Sequence, residues 1–206
     1  MNVYGSILSP YVRKVRIMLL EKKLAFEFKV HDAWAPDSEI PKLNPLGKVP
    51  VLEIAPGQFL FESPLIFRYL QEQGESTLLP PATGEQRWRA EWWQALGNGI
   101  IDATVARVLE TRRPPDKQMP EKMQREEARI ARALAAAQQA ATADEFLAGP
   151  AFGVADLVFG VALQYLDIRY PHDWRSQVPA LQAWFDSTVA RPSFEQTLPP
   201  GFVKPR

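Results

Sequence analysis

The sequence predicts two domains of different class: an α/β domain at residues 1–78 and an all-α helical domain at residues 85–206, joined by a linker at about 75–84. Three observations predict this division. The apolar residues switch repeatedly between strand and helix periods over the first eighty residues. The stretch ESTLLPPATGE then concentrates Pro, Ser, Thr and Gly, as linkers do. Only helical patterns follow it.

The first three elements predict a strand, a helix and a second strand. NVYGSI predicts a short strand, the pattern from Pro10 to Lys23 predicts a helix, and AFEFKVHD alternates like a strand. Most apolar residues of the helix lie within an arc of roughly 120°, but Ile17 and Leu20 lie on nearly the opposite side. A helix with two apolar sides is expected to pack on both.

The rest of the first domain predicts two more strands and two more helices. EIPKLNPLGK predicts a short helix and a loop, and VPVLEI and QFLFE predict strands joined by a tight turn at APG. SPLIFRYLQEQG predicts a helix that is closed by Gly74. Strand–helix–strand followed by strand–strand–helix implies a mixed sheet with helices on its faces.

The second domain consists of predicted helices alone. A long pattern runs from Glu85 to Arg113, and we expect Gly97 and Gly99 to loosen or bend it. The next helices are predicted at PEKMQREEARIARALAAAQQAATA and at GVADLVFGVALQYLDIRY, the second of which is apolar enough to be central. PALQAWFDSTVA and SFEQTL complete the set.

The composition excludes several classes of site. The 24 basic and 24 acidic residues cancel, which argues against a nucleic-acid partner. The absence of cysteine excludes disulfides, thiolate metal sites and a cysteine nucleophile, so any thiol chemistry must use a thiol of the ligand. With two histidines a histidine-rich metal site is not expected. The N-terminus lacks a secretory pattern and the apolar runs are too short to cross a bilayer, so we expect a cytoplasmic protein.

Two predicted helix starts share one design, Ser9-Pro10 and Ser63-Pro64. Serine is favoured at the N-cap and proline at the first helical position, so each serine is explained by capping alone. However, SPYVRK places cations where a helix start favours acids. The helix also follows a strand directly, where α/β sheets place ligands, and its free N–H groups stabilise anions. Capping and anion binding both remain open for Ser9.

Two further stretches have a ligand-binding interpretation beside a structural one. In NPLGKVPVLE, Pro50 begins a strand and cannot donate to its ladder, so Val49 either offers its backbone to an extended peptide or belongs to a simple edge strand. In FESPL, the helix dipole stabilises the Glu62 carboxylate. Alternatively, Glu62 pairs with a ligand ammonium while Ser63 holds a ligand carboxylate, which together would bind an α-amino acid end.

The stretches SPYVRKVRI, NPLGKVPVL and FESPLIFRYL, in this order, resemble the glutathione S-transferase family. The resemblance covers nearly the whole chain and implies a thioredoxin-like N-terminal domain before the all-helical one. SPYVRK is most similar to the serine-type bacterial and plant tau-like branches. The lack of cysteine separates the chain from the omega and beta branches.

The resemblance implies roles for the matching residues. Ser9 would donate its hydroxyl to the glutathione thiolate, and Val49 would pair its backbone with the cysteinyl unit before a cis Pro50. Glu62 and Ser63 would bind the γ-glutamyl end. Basic residues at the position of Lys48 often meet the glycine carboxylate, although a solvated lysine is an equal alternative. Arg13 would add positive potential or lie at a domain interface, and it is not included in the predicted site.

The activity implied is that of a glutathione transferase. Glutathione would be the co-substrate, an electrophilic small molecule the second substrate, no metal would take part, and the chain would form a homodimer. The alternative is a non-catalytic glutathione-binding or protein-interaction module with the same fold. The second substrate is expected between the domains, where the tryptophans and polar residues of the long helix are weak candidates: Trp88, Trp92, Trp93, Asn98 and Asp102. Core packing is the better explanation of the tryptophans.

One position departs from the family pattern. The family usually has Ser or Thr three residues before the aspartate of GVAD, and this chain has Gly153 at that position. Glycine is an acceptable N-cap without a hydroxyl, and Asp156 can still accept a hydrogen bond from the Gly153 backbone. We therefore interpret Asp156 as structural.

Overall fold

The computed structural model describes residues 1–74, 78, 83–142 and 144–202. These residues form two compact units: Met1–Leu79 together with Arg191–Gly201, and Pro80–Ala190 together with Phe202. Most of the predicted linker lies outside the described residues, which include only Leu78, Thr83 and Gly84 of it. The domain boundaries therefore stay a prediction.

The first unit contains a four-stranded mixed sheet. Its strands are β1 (Asn2–Gly5), β2 (Glu27–Val30), β3 (Val51–Ala55) and β4 (Gln58–Leu60), in the order β2-β1-β3-β4. β1 is parallel to β2, whereas β3 is antiparallel to both of its neighbours. The parallel pair needs a crossover, and the first helix supplies it. The predicted mixed sheet is confirmed, and β4 ends two residues before the end of QFLFE.

Three helices accompany the strands in the N-terminal part of this unit: α1 (Pro10–Glu21), α2 (Ile40–Leu43) and α3 (Ser63–Gln71). α1 packs against β1 and α3. Val15, Met18 and Leu19 are fully buried on one side of α1, and Ile17 on the opposite side is fully buried too. The prediction that this helix packs on two sides is confirmed.

The second unit is built from α4 (Glu85–Thr111), α5 (Pro120–Ala140), α6 (Val154–Arg169) and α7 (Gln182–Val189). Short 3₁₀ turns lie at Pro115–Lys117, Arg175–Gln177 and Pro179–Leu181. Every residue of α6 from Val154 to Leu166 is buried, as predicted for a central helix. Among the described helices of the chain, none combines the length and hydropathy that crossing a membrane requires. The predicted fold class, an α/β domain followed by helices, is confirmed.

Gly97 lies where α4 packs against α6. A Cβ atom on Gly97 would lie 3.1 Å from Val158 Cγ1 and 3.2 Å from the Phe159 Cα. α4 is one continuous helix from Glu85 to Thr111. Gly97 therefore serves the close approach of two helices, a role that the sequence analysis did not assign to it.

The short helix α8 (Pro192–Glu195) packs against α1 in the first unit, although the sequence analysis placed SFEQTL with the helical domain. The contact includes several hydrogen bonds. The Glu21 carboxylate accepts hydrogen bonds from Arg191 Nε at 2.9 Å, Arg191 Nη2 at 2.7 Å and Ser193 Oγ at 2.5 Å. These bonds connect the last part of the chain to its first helix.

Asp156 has the structural role predicted for it. Its Oδ2 accepts a hydrogen bond from the Gly153 N–H at 2.9 Å. Its Oδ1 accepts from the Leu147 N–H at 2.9 Å and from Trp184 Nε1 at 2.7 Å. Burial raises the pKa of Asp156 even though these three donors act to lower it. The carboxylate thus joins the start of α6 to α7 and to the segment before α6.

Candidate functional site

Ser9 caps α1 as predicted. Its backbone is extended, Pro10 is the first helical residue, and Ser9 Oγ accepts a hydrogen bond from the Val12 N–H at 3.4 Å. This distance is longer than the usual 2.9–3.0 Å of such bonds, so the cap is weak. A hydroxyl that accepts one bond keeps its own proton for donation. Capping and donation to a ligand are therefore compatible at Ser9.

The first turns of α1 and α3 contain no acidic residue. The three long helices of the other unit begin differently, with Glu85 in α4, Glu121 in α5 and Asp156 in α6. Acids are favoured at helix N-termini because the dipole and the free N–H groups stabilise negative charge. The start of α1 is thus a place where an external anion meets favourable electrostatics, whereas the N-cap of α3 is itself an acid, Glu62.

Gly5 brings the start of α1 close to the segment before β3. A Cβ atom on Gly5 would lie 2.4 Å from Val12 Cγ2 and 3.3 Å from Val49 Cβ. Real Cβ atoms essentially never show the first of these distances, so a larger residue at the end of β1 would have to displace the Val12 side chain. The stretches around Ser9 and Val49, which lie far apart in the sequence, are neighbours here.

The peptide bond between Val49 and Pro50 is cis, as the resemblance implies. Pro50 is buried, and Val49 lies outside the sheet, two residues before β3 begins. Within the described part of the chain, the Val49 N–H and C=O make no hydrogen bond. β3 pairs with β1 and β4 and is an inner strand, so the alternative of a simple edge strand at Val49 and Pro50 was wrong. The backbone groups of Val49, just before β3, can pair with an extended peptide.

Asn44 organises the loop before Val49, and the sequence analysis did not identify it. Asn44 is fully buried, its Nδ2 donates to the Lys48 carbonyl at 2.8 Å, and its Oδ1 accepts from the Leu46 N–H at 2.9 Å. The Asn-Pro pair in NPLGK is a known turn signal and could have indicated this role.

The start of α3 differs from the prediction in one respect. Ser63 was predicted to cap the helix, but Glu62 is the N-cap and Ser63 is the first helical residue, which corrects that prediction. The reason is that the Glu62 carbonyl already accepts from the N–H groups of Leu65 and Ile66, both at 3.1 Å. The bond between Phe61 and Glu62 is cis, which no sequence pattern indicated.

Lys48 and Glu62 approach each other at the surface. Lys48 Nζ lies 3.6 Å from Glu62 Oε1, with side-chain exposures of 69% and 46%. Ion pairs this exposed contribute about 0–1 kcal/mol, so a ligand can replace either partner at little cost. The structure therefore places Lys48, Glu62 and the buried Ser63 together.

The tryptophans do not form one cluster. Trp93 is buried in the core of the helical unit, where its ring lies 4.8 Å from that of Phe159. Trp88 and Trp92 are exposed within that unit, and Trp34 is exposed in the loop after β2. Core packing, the preferred explanation, is correct for Trp93. Among the described residues, no group of three or more His, Asp or Glu side chains is placed to hold a metal ion.

Two family models match the chain. The N-terminal domain of glutathione S-transferase matches residues 8–73, and the C-terminal domain of glutathione S-transferase matches residues 120–187. The first match includes every residue of the candidate site.

Proteins similar over their whole length carry the same family name. An uncharacterized GST-like protein, YibF from Escherichia coli, is 32% identical over 97% of this chain and 99% of its own. A glutathione S-transferase from Methylobacillus flagellatus, solved with GSH bound, is 32% identical with a TM-score of 0.90, covering 96% of this chain and 98% of its own. A glutathione transferase family member from Pseudomonas fluorescens, solved with bound glutathione, is 36% identical with a TM-score of 0.86 over 97% and 98%. This chain belongs to the glutathione S-transferase family.

Proposed function

We propose that this protein is a serine-type glutathione transferase that binds glutathione as a co-substrate, holds its thiol as a thiolate beside Ser9 and joins glutathione through its sulfur to an electrophilic small molecule. The observation that carries the proposal is the Ser9 hydroxyl, whose proton is not used by its weak capping bond. It lies at a helix N-terminus without acids, directly after β1. The relatives solved with glutathione support the choice of ligand.

The Ser9 hydroxyl would lower the pKa of the bound thiol. A hydrogen bond to a charged group contributes roughly 1.5–3 kcal/mol, and one pKa unit corresponds to about 1.4 kcal/mol. One such bond to the thiolate therefore lowers the thiol pKa by about one to two units from a value near 8.5. This brings ionisation close to neutral pH, and the dipole of α1 acts in the same direction.

The remaining residues would bind the other parts of glutathione. The Val49 backbone, with its N–H and C=O turned to no described residue, pairs with the cysteinyl unit. The Glu62 carboxylate binds the ammonium of the γ-glutamyl end, and the Ser63 hydroxyl and N–H bind its carboxylate. Lys48 attracts the glycine carboxylate. The 3.6 Å approach of Lys48 to Glu62 supports a common site for these two residues.

The reaction follows from these positions. The thiol proton leaves to solvent, and a sulfur lone pair forms a bond to the electrophilic carbon. Either a leaving group departs with its electron pair, or the electron pair moves onto the electrophile, which takes a proton from water. Binding of both reactants near Ser9 makes the step effectively intramolecular.

We also propose that the protein is a homodimer, a state that light scattering of the purified protein would test.

The first experiment is to titrate the ultraviolet difference absorbance of bound glutathione across pH for the native protein, Ser9→Ala and Ser9→Thr. The native protein should show thiolate well below pH 8, and Ser9→Ala should raise the thiol pKa by about one to two units. Ser9→Thr is the matched variant, because it keeps both the hydroxyl and an N-cap side chain. It should retain most of the thiolate signal.

Other outcomes have definite meanings. Equal thiolate formation in the native protein and Ser9→Ala, with glutathione bound to saturation in both, would contradict the role of Ser9. Saturable binding without thiolate would indicate a glutathione-binding module. Absence of binding would overturn the proposed function, and a protein partner would then be sought.

A further inference from the structure

The C-terminal ends of α4 and α6 come together at one end of the helical unit. Gly97 of α4 lies against Val158 of α6. Further along both helices, the guanidinium carbon of Arg107 lies 5.8 Å from the centre of the Tyr170 ring. The two helices therefore run in the same direction, and their last turns are neighbours.

Each of these two helices ends in an arginine. Arg112 is the exposed C-cap residue of α4, and Arg169 is the partly buried last residue of α6. Within residues 1–74, 78, 83–142 and 144–202, neither guanidinium forms an ion pair with a carboxylate. Arg169 Nε is buried and makes no hydrogen bond in that part of the chain. Buried polar atoms are nearly always hydrogen-bonded, so this nitrogen calls for a physical reason.

Tyr165 adds a hydroxyl group to the two arginines. It lies one turn before Arg169 on the same face of α6, and its side chain is 7% exposed. Burial raises the pKa of Tyr165, whereas the positive charges of Arg169 and Arg112 and a hydrogen bond from Arg169 act to lower it. A hydroxyl that accepts a bond from arginine keeps its own proton for donation. We refer to Arg112, Tyr165 and Arg169 as the helix-end cluster.

The two carboxylates closest in the sequence to these arginines are held by other donors. Asp167 Oδ2 accepts a hydrogen bond from Arg175 Nη2 at 2.8 Å. Glu110 Oε1 accepts from the Met119 N–H at 2.9 Å, and its Oε2 accepts from Lys122 Nζ at 2.9 Å. Neither carboxylate neutralises the helix-end cluster, which therefore carries a net positive charge.

The helix dipole alone does not account for the helix-end cluster. It favours cations at helix C-termini, which explains an arginine at each end. It does not explain a buried guanidinium nitrogen without an acceptor, or a buried hydroxyl beside two cations. An oxyanion supplies the missing acceptors, because guanidinium groups bind carboxylate and phosphate oxygens through paired N–H groups. The tyrosine hydroxyl donates one bond more.

We propose that Arg112, Tyr165 and Arg169 bind the acidic group of a small molecule, a carboxylate or a phosphate, at the neighbouring ends of α4 and α6. Arg169 and the Tyr165 hydroxyl donate hydrogen bonds to the oxyanion, and Arg112 attracts it from the surface. This binding site goes beyond the proposed transferase activity and does not depend on thiolate formation at Ser9.

The test is the binding of para-trifluoromethylbenzoate to the full chain, followed by fluorine NMR, with the neutral para-trifluoromethylbenzamide as the matched probe. The native protein should bind the benzoate at least about tenfold more tightly than the benzamide, since only the benzoate offers a charged acceptor. Arg169→Gln should weaken benzoate binding about tenfold, and Tyr165→Phe, which removes only the hydroxyl, should weaken it less. The control is Arg132→Gln, which removes an exposed arginine of α5 and should leave binding unchanged.

Two comparisons decide whether the charge of the helix-end cluster is responsible. Equal benzoate binding in Arg169→Gln and Arg132→Gln would overturn the inference, because the probe would then lie elsewhere. If Arg169→Gln does not fold, Arg112→Gln takes its place, since Arg112 is exposed. Weaker binding in Arg112→Gln than in Arg132→Gln supports the site, and equal binding contradicts it.

Inorganic phosphate and glutathione are the competitors that identify the ligand. Displacement of the benzoate by phosphate would show that the site accepts both oxyanions, and failure to displace it would show a carboxylate site. If the benzoate does not bind and phosphate does not raise the melting temperature above that in chloride of equal ionic strength, the inference is wrong. Glutathione carries carboxylates itself. Displacement by glutathione, together with loss of glutathione binding in Arg169→Gln, would therefore overturn a separate site. A native protein that forms no thiolate would contradict the proposed function alone.

Discussion

At the scale of single residues, the Ser-Pro helix starts show why one side chain can have a structural and a chemical role. Among the described residues, the Ser9 hydroxyl accepts one bond, the long one from the Val12 N–H, and this bond does not use the hydroxyl proton. Ser63 occupies the equivalent place in the sequence but lies one position further into its helix, because Glu62 caps α3. The same dipeptide thus positions its hydroxyl differently in α1 and α3.

The hydrogen bonds around Glu53 predict how the stability of the fold depends on pH. Hydrogen bonds from Asn2 Nδ2 at 2.7 Å, Tyr4 Oη at 2.8 Å and the Gly57 N–H at 3.1 Å lower the pKa of Glu53 to about 2. In the unfolded chain a glutamate has a pKa of about 4.3. The folded protein therefore binds the proton more weakly, and Glu53 stabilises the fold above the unfolded pKa.

We expect Glu53→Gln to lower the melting temperature at pH 7. The difference from the native protein should shrink as the pH falls from about 5 toward 2, because the unfolded chain takes up a proton at Glu53 at about pH 4.3 while the folded carboxylate stays ionised until about pH 2. Thermal unfolding followed by circular dichroism at several pH values measures this. Glu27→Gln is the control, since Glu27 is exposed and its carboxylate lies 3.9 Å from Lys29. A difference for Glu53→Gln that is constant with pH would contradict the assignment.

At the scale of elements, the crossing of α4 and α6 depends on Gly97. A Cβ atom on Gly97 would lie 3.2 Å from the Phe159 Cα and 3.2 Å from the Val158 carbonyl oxygen. Both of these atoms belong to the α6 backbone. Backbone atoms in a buried helix cannot move aside as a side-chain end can. The crossing is therefore tighter than any residue with a Cβ permits without a shift of one helix.

The pair Gly97→Ala and Gly99→Ala tests this crossing. Alanine favours a helix by about 0.8–1 kcal/mol over glycine, whereas overpacking costs about 1–3 kcal/mol. Gly97→Ala should therefore destabilise the protein by about 1 kcal/mol. Gly99→Ala should stabilise it, because a Cβ atom added at Gly99 would meet no described atom outside its own helix turn within 4 Å. Urea unfolding of both variants gives the two free energies. Equal stabilisation by both would show that the crossing accommodates a Cβ atom at Gly97.

At the scale of the whole molecule, the chain after α7 returns to the unit that contains its N-terminus. The Glu21 carboxylate, on α1, accepts hydrogen bonds from Arg191 Nε and Nη2 and from the Ser193 hydroxyl. Burial alone would raise the pKa of Glu21, but the bonds from Arg191 and Ser193 outweigh it and lower the pKa. This contribution to stability is present above the unfolded pKa and is lost as the pH falls through the lowered value.

Arg191→Met should reduce the free energy of unfolding at pH 7 by about 1–3 kcal/mol, because it leaves a largely buried carboxylate with fewer donors. The matched control is Arg87→Met. Arg87 pairs with Glu91 at 2.8 Å within one exposed helix face, and its loss should cost about 0.5 kcal/mol or less. Urea unfolding compares the two variants. Similar small losses would show that the contact at Glu21 is only a surface pair.

The sequence by itself determined the elements and their order. Period-two and helical patterns result from each residue and its near neighbours, so the four strands, the two-sided α1 and the apolar α6 could be predicted without contacts. The three stretches of the candidate site were also visible, because turn and cap residues are local signals. Their roles in binding stay predictions until the titrations above are made.

Only the tertiary structure decided how distant residues meet. Gly5 places Val12 beside Val49, Gly97 allows the close approach of α4 and α6, and α8 packs on α1. The burial of Arg13 against Phe194 and Thr197 joins residues more than 180 positions apart. No local pattern encodes these pairings, because each depends on the packing of side chains that the sequence separates.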